Sequence, residues 1–260
     1  MAKAGARSGS THLKRQERAQ RVNRFLAGCA GGSLGLIGGD HTAEVARRPS
    51  LVLAPHPDDE TLGCAATMMR KIEAGTLVSV VMATSGGKWP PNQTIEQNSL
   101  AREAELAHAT GVIGLDPKRL SLLRLEDGGL ATSQEALIDA ISDSVRSNDY
   151  QDVLCTATTD PHEDHAALGR AAVAALAGTK TRLLFYPVWQ WEHPRAWLRL
   201  LRSSGRPELV DTAGYLDRKR SAIAHYGSQL ANSSNSGLEE GFLAHFLTKR
   251  EVFFPYRKLA

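Results

Sequence analysis

Along residues 50–186, short apolar runs alternate with longer stretches in which apolar positions recur every three or four residues. Leu51–Ala54, Leu77–Ala83, Leu120–Leu125, Val153–Ala157 and Leu183–Tyr186 are short runs bounded by turn residues, the pattern of buried strands. Between them the spacing predicts helices. Thr61–Ala74 carries Leu62, Ala65, Met69 and Ile72 on one side and has Gly75 as its stop. Asn98–Thr110 is followed by Gly111, and Thr132 with Glu135 reads as a capping box opening a helix to Ser147. An Ala-rich helix runs to Ala177, with Asp160 suited to its N-cap and Pro161 to its first position. Strands separated by helices of this length imply βαβ units. The expected fold is α/β, a Rossmann-like three-layer sandwich with a mostly parallel sheet and helices on both faces. No internal repeat occurs, and no glycine-rich phosphate loop follows a strand, so a nucleotide cofactor is unsupported.

Length and charge divide the chain in two. The 260 residues suit one large domain over 50–260, preceded by an arm over 1–49. The arm holds nine Lys/Arg against three Asp/Glu, a net +6, and the remainder holds 22 against 25, a net −3. The basic character therefore belongs to the arm, and nucleic-acid binding is not expected. Leu13, Val22, Phe25 and Leu26 can line one side of a basic helix, which allows peripheral contact with acidic lipid or a partner; a solvated arm or docking helix is the alternative. Leu26-Ala27-Gly28-Cys29 resembles a lipobox, but residues 13–24 are too polar to be the apolar segment that such a signal needs. The Gly-rich stretch 30–39 is far short of the roughly 20 residues that span a bilayer, so no transmembrane segment is expected. Three cysteines, Cys29, Cys64 and Cys155, are odd in number and widely spaced. They suggest neither a disulfide framework nor a cysteine metal site, and fit a reducing cytoplasm.

The chemistry gathers at two strand ends. The first strand stops at Pro55-His56-Pro57-Asp58-Asp59-Glu60, where Pro57 disfavours helix at His56 and forces a turn. His56, Asp58 and Asp59 thus stand at the carboxyl end of a strand, where open α/β sheets bind ligands. Two adjacent carboxylates in a cleft are costly unless a cation compensates, although either could simply cap the next helix. The fourth strand runs into Thr159-Asp160-Pro161-His162-Glu163-Asp164-His165, which places His162 and His165 three apart at a helix start. The positive end of a helix disfavours protonated imidazole and suits neutral, ligating imidazole. Two His and an Asp would leave a catalytic zinc an open position for water.

The string Pro55 to Glu60, joined to His162-x-x-His165, resembles the signature of the PIG-L/LmbE-like family of zinc-dependent de-N-acetylases. The resemblance extends over roughly 50–257 through Arg102-x-x-Glu105 and His225-x-Gly227-Ser228-Gln229. It implies one zinc per chain on His56, Asp59 and His165, Asp58 as general base, and His162 as the group that stabilises the charged intermediate or protonates the leaving amine. Asp164 would orient an imidazole from behind. Arg102 would approach the substrate, or form a surface ion pair; His225 would hydrogen-bond near the site, or tie the C-terminal helix to the core. Trp89, Trp189 and Trp191, in strand-end loops, could pack on a sugar face or in the core, whereas Trp197 reads as helix packing. The implied reaction is removal of acetyl from an N-acetylglucosamine-type unit of a small glycoside, glycolipid or glycan precursor. The alternatives are a zinc amidase for another amide, such as a thiol conjugate, and a non-catalytic sugar- or metal-binding homologue.

Overall fold

The computed structural model describes residues 37–230 and 237–257. Among these, eight strands form one sheet: β1 (Gly39–Asp40), β2 (Ser50–Ala54), β3 (Val78–Thr84), β4 (Leu120–Leu125), β5 (Asp152–Thr156), β6 (Arg182–Tyr186), β7 (Glu208–Asp211) and β8 (Arg250–Pro255). The helices are α1 (Thr42–Ala46), α2 (Asp59–Glu73), α3 (Ile95–Ile113), α4 (Gln134–Arg146), α5 (Glu163–Ala175), α6 (Pro194–Ser203), α7 (Leu216–Ala224) and α8 (Glu240–Leu243). The strand order is β1-β7-β8-β6-β5-β2-β3-β4, parallel throughout except for β8, which is antiparallel to both β6 and β7. β2, β3 and β5 are buried at every residue, which is why they read as apolar runs without alternation. α2 packs with α1, α3 and α7, and α4 packs with α5, giving the three-layer α/β fold.

One feature of this order positions the site. After β2 the chain builds outward through β3 and β4, then returns to lay β5 on the other side of β2. The connections on either side of the β2–β5 pair diverge, leaving a crevice beyond the carboxyl ends of these strands. His56 follows β2, and His162 follows β5.

Several local expectations change. α3 begins at Ile95, not Asn98, because Thr94 and Gln97 form a reciprocal capping box: the Thr94 hydroxyl accepts from the Gln97 N–H at 3.2 Å. It runs through Gly111 and stops at Gly114, whose φ of 91° is the conformation a terminating glycine supplies. The capping box expected at Thr132 and Glu135 does not form; Ser133 is the N-cap, and the Thr132 hydroxyl donates to the Gly129 carbonyl. Asp160 is not the N-cap of α5; His162 is, and the helix ends at Ala175. The segments after β6, which add β7 and β8 at the far side of the sheet, were not anticipated as strands.

Residues 1–36 of the basic arm, with Leu13, Val22, Phe25, Leu26 and Cys29, lie outside the described residues. Residues 39–46 join the body: β1 pairs with β7, Val45 is fully buried, and the Lys71 ammonium donates to the carbonyls of Val45 and Arg48. At the amino ends of the strands, the buried Asp152 carboxylate takes Arg48 at 3.0 Å and Arg182 at 2.8 Å, and Arg182 also reaches Glu208 at 2.9 Å. No described helix is long and apolar enough to cross a membrane.

Candidate metal centre and active site

The turn between β2 and α2 is bent by Asp58, whose φ of 128° lies where a residue with a Cβ is strained. Three contacts hold it there. Its carbonyl accepts from the N–H groups of Thr61 and Leu62, and its own N–H donates to the Glu60 carboxylate at 3.2 Å. Glu60 is fully buried and is itself fixed by the hydroxyls of Thr61 and Tyr226, both of which donate to it. The backbone twist sends the two neighbouring carboxylates in different directions. Asp59 turns back to accept the His56 N–H at 3.1 Å, while Asp58 faces Arg102 at 3.4 Å. Arg102 reaches it from α3 and also donates to the carbonyls of Gly86 and Pro57. A Cβ on Gly86 would stand 2.1 Å from this guanidinium, so only glycine admits the approach.

Asp59 is the meeting point of two imidazoles, His56 Nδ1 at 3.4 Å and His165 Nε2 at 3.3 Å. The far nitrogens are turned to carboxylates. His56 Nε2 faces Asp127 and Asp164, each at 3.2 Å, and His165 Nδ1 faces Asp160 at 3.6 Å. In neutral rings the protons belong on those outer nitrogens, leaving the inner lone pairs converging with the Asp59 oxygen. Ligand atoms of His56, Asp59 and His165 lie within 4.8 Å of one another. Three electron-pair donors so placed fit a cation, and carboxylates behind the imidazoles are the usual supports of a metal site. The electrostatics agree. Burial alone would depress the His56 pKa, but Asp127, Asp164 and Asp59 hold it well above its ordinary value, so the centre demands positive charge. His56, His162 and Asp164 also offer atoms at this spacing. Asp164, however, is already spent on the N–H groups of Gly128 at 2.6 Å and Leu130 at 3.1 Å.

The two adjacent aspartates are pushed apart. Burial drives the Asp58 carboxyl well above the usual range, with Arg102 opposing and Asp59 reinforcing. Asp59 goes the other way: burial would raise it, but His165 and His56 outweigh that and lower it. Such divergence assigns different roles to like groups, an ionised ligand beside a proton acceptor. His162 is lowered by burial first and by the neighbouring histidines second, so it is neutral near pH 7. Its Nδ1 accepts the Asp164 N–H at 3.3 Å, which leaves the ring proton on Nε2.

Above these groups opens a cavity of about 580 Å³. His56, Asp58, Asp59, His162 and His165 lie on its floor, with Trp89, Trp189, Leu238 and Phe242 along its walls and Lys88, Arg102 and Gln229 among its polar lining. Trp189 stacks between Phe242, 5.0 Å away, and His162, 6.5 Å away. Two residues expected near substrate are elsewhere. Trp191 is 7% exposed and packs between Trp197 and His245 without lining the cavity, because the 3-10 turn Trp189–Glu192 puts Trp189 and Glu192, three apart, on the cavity side and turns Trp191 away. His225 is exposed at the end of α7, beside the His108 ring at 5.7 Å, and it is Gln229 of the same segment that enters the cavity. Trp197 is buried on α6 as helix packing. Asp127, Glu60 and Tyr226 were not singled out from sequence. Asp127 sits in an Asp-Gly turn that reads as punctuation, and only its place just after β4, at the same sheet end, marks it as part of the site.

Comparison with known proteins agrees with this geometry. The family model described as PIG-L, GlcNAc-PI de-N-acetylase, matches residues 51–176, the span from β2 through α5 that carries every proposed ligand. An uncharacterized deacetylase, YaiS, of Escherichia coli K12 is 25% identical over 160 residues, 60% of this chain and 79% of that one. A probable N-acetyl-alpha-D-glucosaminyl L-malate deacetylase 2 of Bacillus anthracis is 27% identical over 198 residues, 71% of this chain and 82% of that one. Among solved structures, the N,N'-diacetylchitobiose deacetylase of Pyrococcus horikoshii shares the fold with a TM-score of 0.62 at 20% identity, covering 79% of this chain and 82% of that one. So does the 4-carboxy-2-hydroxymuconate hydratase of Pseudomonas putida, at 0.61 and 16%, covering 82% and 100%. Over residues 51–176 the chain is thus similar to the PIG-L/LmbE-like deacetylases.

Proposed function

We propose that this PIG-L/LmbE-like chain is a zinc-dependent hydrolase that removes the acetyl group from an N-acetylglucosamine-type amino sugar carried on a small glycoside, glycolipid or glycan precursor. The observation that supports it most is the division of labour at the turn after β2: Asp59 converges with His56 and His165, while Asp58, with its raised pKa, faces the cavity beside them. Zinc held by His56, Asp59 and His165 would supply Lewis acidity towards the amide carbonyl and acidify water. Asp58 takes the proton of the attacking water, and the water oxygen bonds to the acetyl carbon. Neutral His162, protonated on Nε2, donates to the oxygen on which negative charge develops. The C–N bond then breaks, and Asp58, carrying the proton it took, delivers it to the departing amine. Acetate and a free amino sugar result. Asp127 and Asp164 hold the His56 ring from behind, and Trp89 and Trp189 offer flat apolar walls to a sugar ring.

A second reading comes from the hydratase neighbour: the same fold can host water addition to an unsaturated acid. Acetate release separates the two. Metal-replete protein is given free N-acetylglucosamine, simple glycosides, a nucleotide sugar and a lipid-linked form, with and without chelator, and bound zinc is counted. Chelator-sensitive acetate release with one zinc per chain supports the proposal. Two metals per chain, or silence across the panel with zinc bound, sinks it.

A further inference from the structure

A basic stripe crosses the surface beside the cavity and plays no part in the chemistry above. α6 carries Arg195, Leu198, Arg199 and Arg202 on its exposed side, within an arc of about 100° at about 100° per residue, while Ala196, Trp197 and Leu200 are buried behind them. Leu198 is 55% exposed between the arginines. The guanidinium groups of Arg195, Arg199 and Arg202 make no hydrogen bond or ion pair among the described residues, and no Asp or Glu occurs from His193 to Pro207.

The two ends of the stripe matter more than its middle. At its start, Trp189 and Glu192 line the catalytic cavity, and α6 begins two residues later at Pro194. At its finish, Arg206 donates to the carbonyls of Ile37 at 2.7 Å and Gly38 at 3.1 Å. Ile37 is itself 46% exposed, and it is the point at which residues 1–36, with seven Lys/Arg and one Glu, join the described structure. The stripe therefore runs from the rim of the cavity to the root of the most basic segment of a chain whose remainder, over 50–260, is net −3.

We infer that the exposed face of α6, with Arg206 and Ile37, docks on an anionic phospholipid surface and sets the mouth of the cavity against it. Charge complementarity favours an anionic surface. Apolar side chains standing among the arginines favour a bilayer over a purely polar polyanion, since they can enter the acyl boundary. The arginines extend over about 10 Å of helix at 1.5 Å per residue, so all three can meet headgroups together. The proposal is independent of which bond the active site cleaves.

The test is sedimentation of the full-length protein with vesicles, one set of phosphatidylcholine alone and one of equal parts phosphatidylcholine and phosphatidylglycerol, at low and high salt. The expected result is binding to the anionic set only, weakened by salt. The R195Q/R199Q/R202Q variant should bind about fivefold more weakly per arginine, on the order of 100-fold in all. R195K/R199K/R202K should retain binding, because point charges suffice at a headgroup layer, and both variants should melt with the parent. The proposal is overturned if the glutamine variant partitions like the parent, if the lysine variant is as weak as the glutamine one, or if neutral vesicles bind equally. Equal binding to duplex DNA with the same dependence on these arginines also overturns it.

Discussion

Replacing Asp58 by asparagine separates the two carboxylates of the Asp58–Asp59 pair. The side chain keeps its shape and its place beside Arg102 but can no longer accept a proton. Arg102 retains its bonds to the Gly86 and Pro57 carbonyls. Loss of a general base costs about 10²–10⁴-fold in kcat. Metal affinity should hold, because the converging donors belong to His56, Asp59 and His165. The stability of the metal-free protein should move the opposite way. The Asp58 carboxyl has a folded pKa well above 3.8, chiefly through burial. Such a group binds its proton more readily in the folded than in the unfolded chain, so stability falls as pH rises from about 4 through the folded pKa, and stays reduced above it. Asparagine removes that loss. Stabilising single substitutions commonly yield about 0.5–2 kcal/mol, a few degrees in Tm for a chain of this size. The assay pairs kcat with zinc content, and with thermal melts of chelated parent and D58N between pH 4 and 8. Turnover above a tenth of the parent's would refute the base assignment. A chelated D58N less stable than the parent at pH 7 would refute the claim that Asp58 is held at an energetic cost.

Other outcomes follow from the same contacts. Asp164→Asn should weaken zinc binding by about 10–100-fold in a competitive chelator titration, because it removes a carboxylate behind His56; unchanged affinity would remove Asp164 from that role. Asp152→Ala should lower stability by about 1.5–3 kcal/mol in urea melts, since it removes the buried acceptor shared by Arg48 and Arg182, although Arg182 keeps Glu208. Per folded molecule its activity should be unchanged, as the network lies at the opposite end of the strands from the cavity. The Lys71 ammonium is fully buried, and burial lowers its pKa from 10.5 to about 8. Its charged form therefore weighs against folding up to about pH 8, and stability attributable to it rises between about pH 8 and 10.5 by roughly 3 kcal/mol; Lys71→Met should flatten that rise, and an equal slope in both proteins would count against it. His225→Ala should leave kcat/KM unchanged, and a large loss would return this exposed residue to the site.

The parts of the fold legible in the sequence are those under one dominant constraint. β2, β3 and β5 are buried on both faces and had to be apolar throughout, so their limits were readable to within a residue or two. Helix ends were less so, because several signals compete there. Gly111 and Gly114 are equally good stops in sequence, and it is Gly114 that takes the left-handed conformation ending the helix. Asp160 is a good cap by type, but its carboxylate turns to the His162 N–H and towards His165, which leaves His162 to cap α5. The outer carboxylates were unreadable for a different reason. Asp127 is 71 residues from the His56 it supports, and nothing local distinguishes it from any Asp before a glycine.

The fold by itself does not fix the reaction. A deacetylase and a hydratase share this architecture with nearly equal TM-scores, so the switch-point crevice supplies a place for chemistry rather than a reaction. What narrows the reaction is the strained turn. Glu60, clamped by Tyr226 from the segment after α7, bonds the Asp58 N–H, and the resulting φ turns Asp58 and Asp59 away from each other. An unstrained turn would leave two like carboxylates sharing one environment and titrating together. Here one is drawn down by two imidazoles and the other pushed up by burial, which is the condition for a ligand and a base to sit on consecutive residues. Tyr226 thus ties the C-terminal third of the chain to the acid–base division at the active site, although it contacts neither aspartate carboxylate.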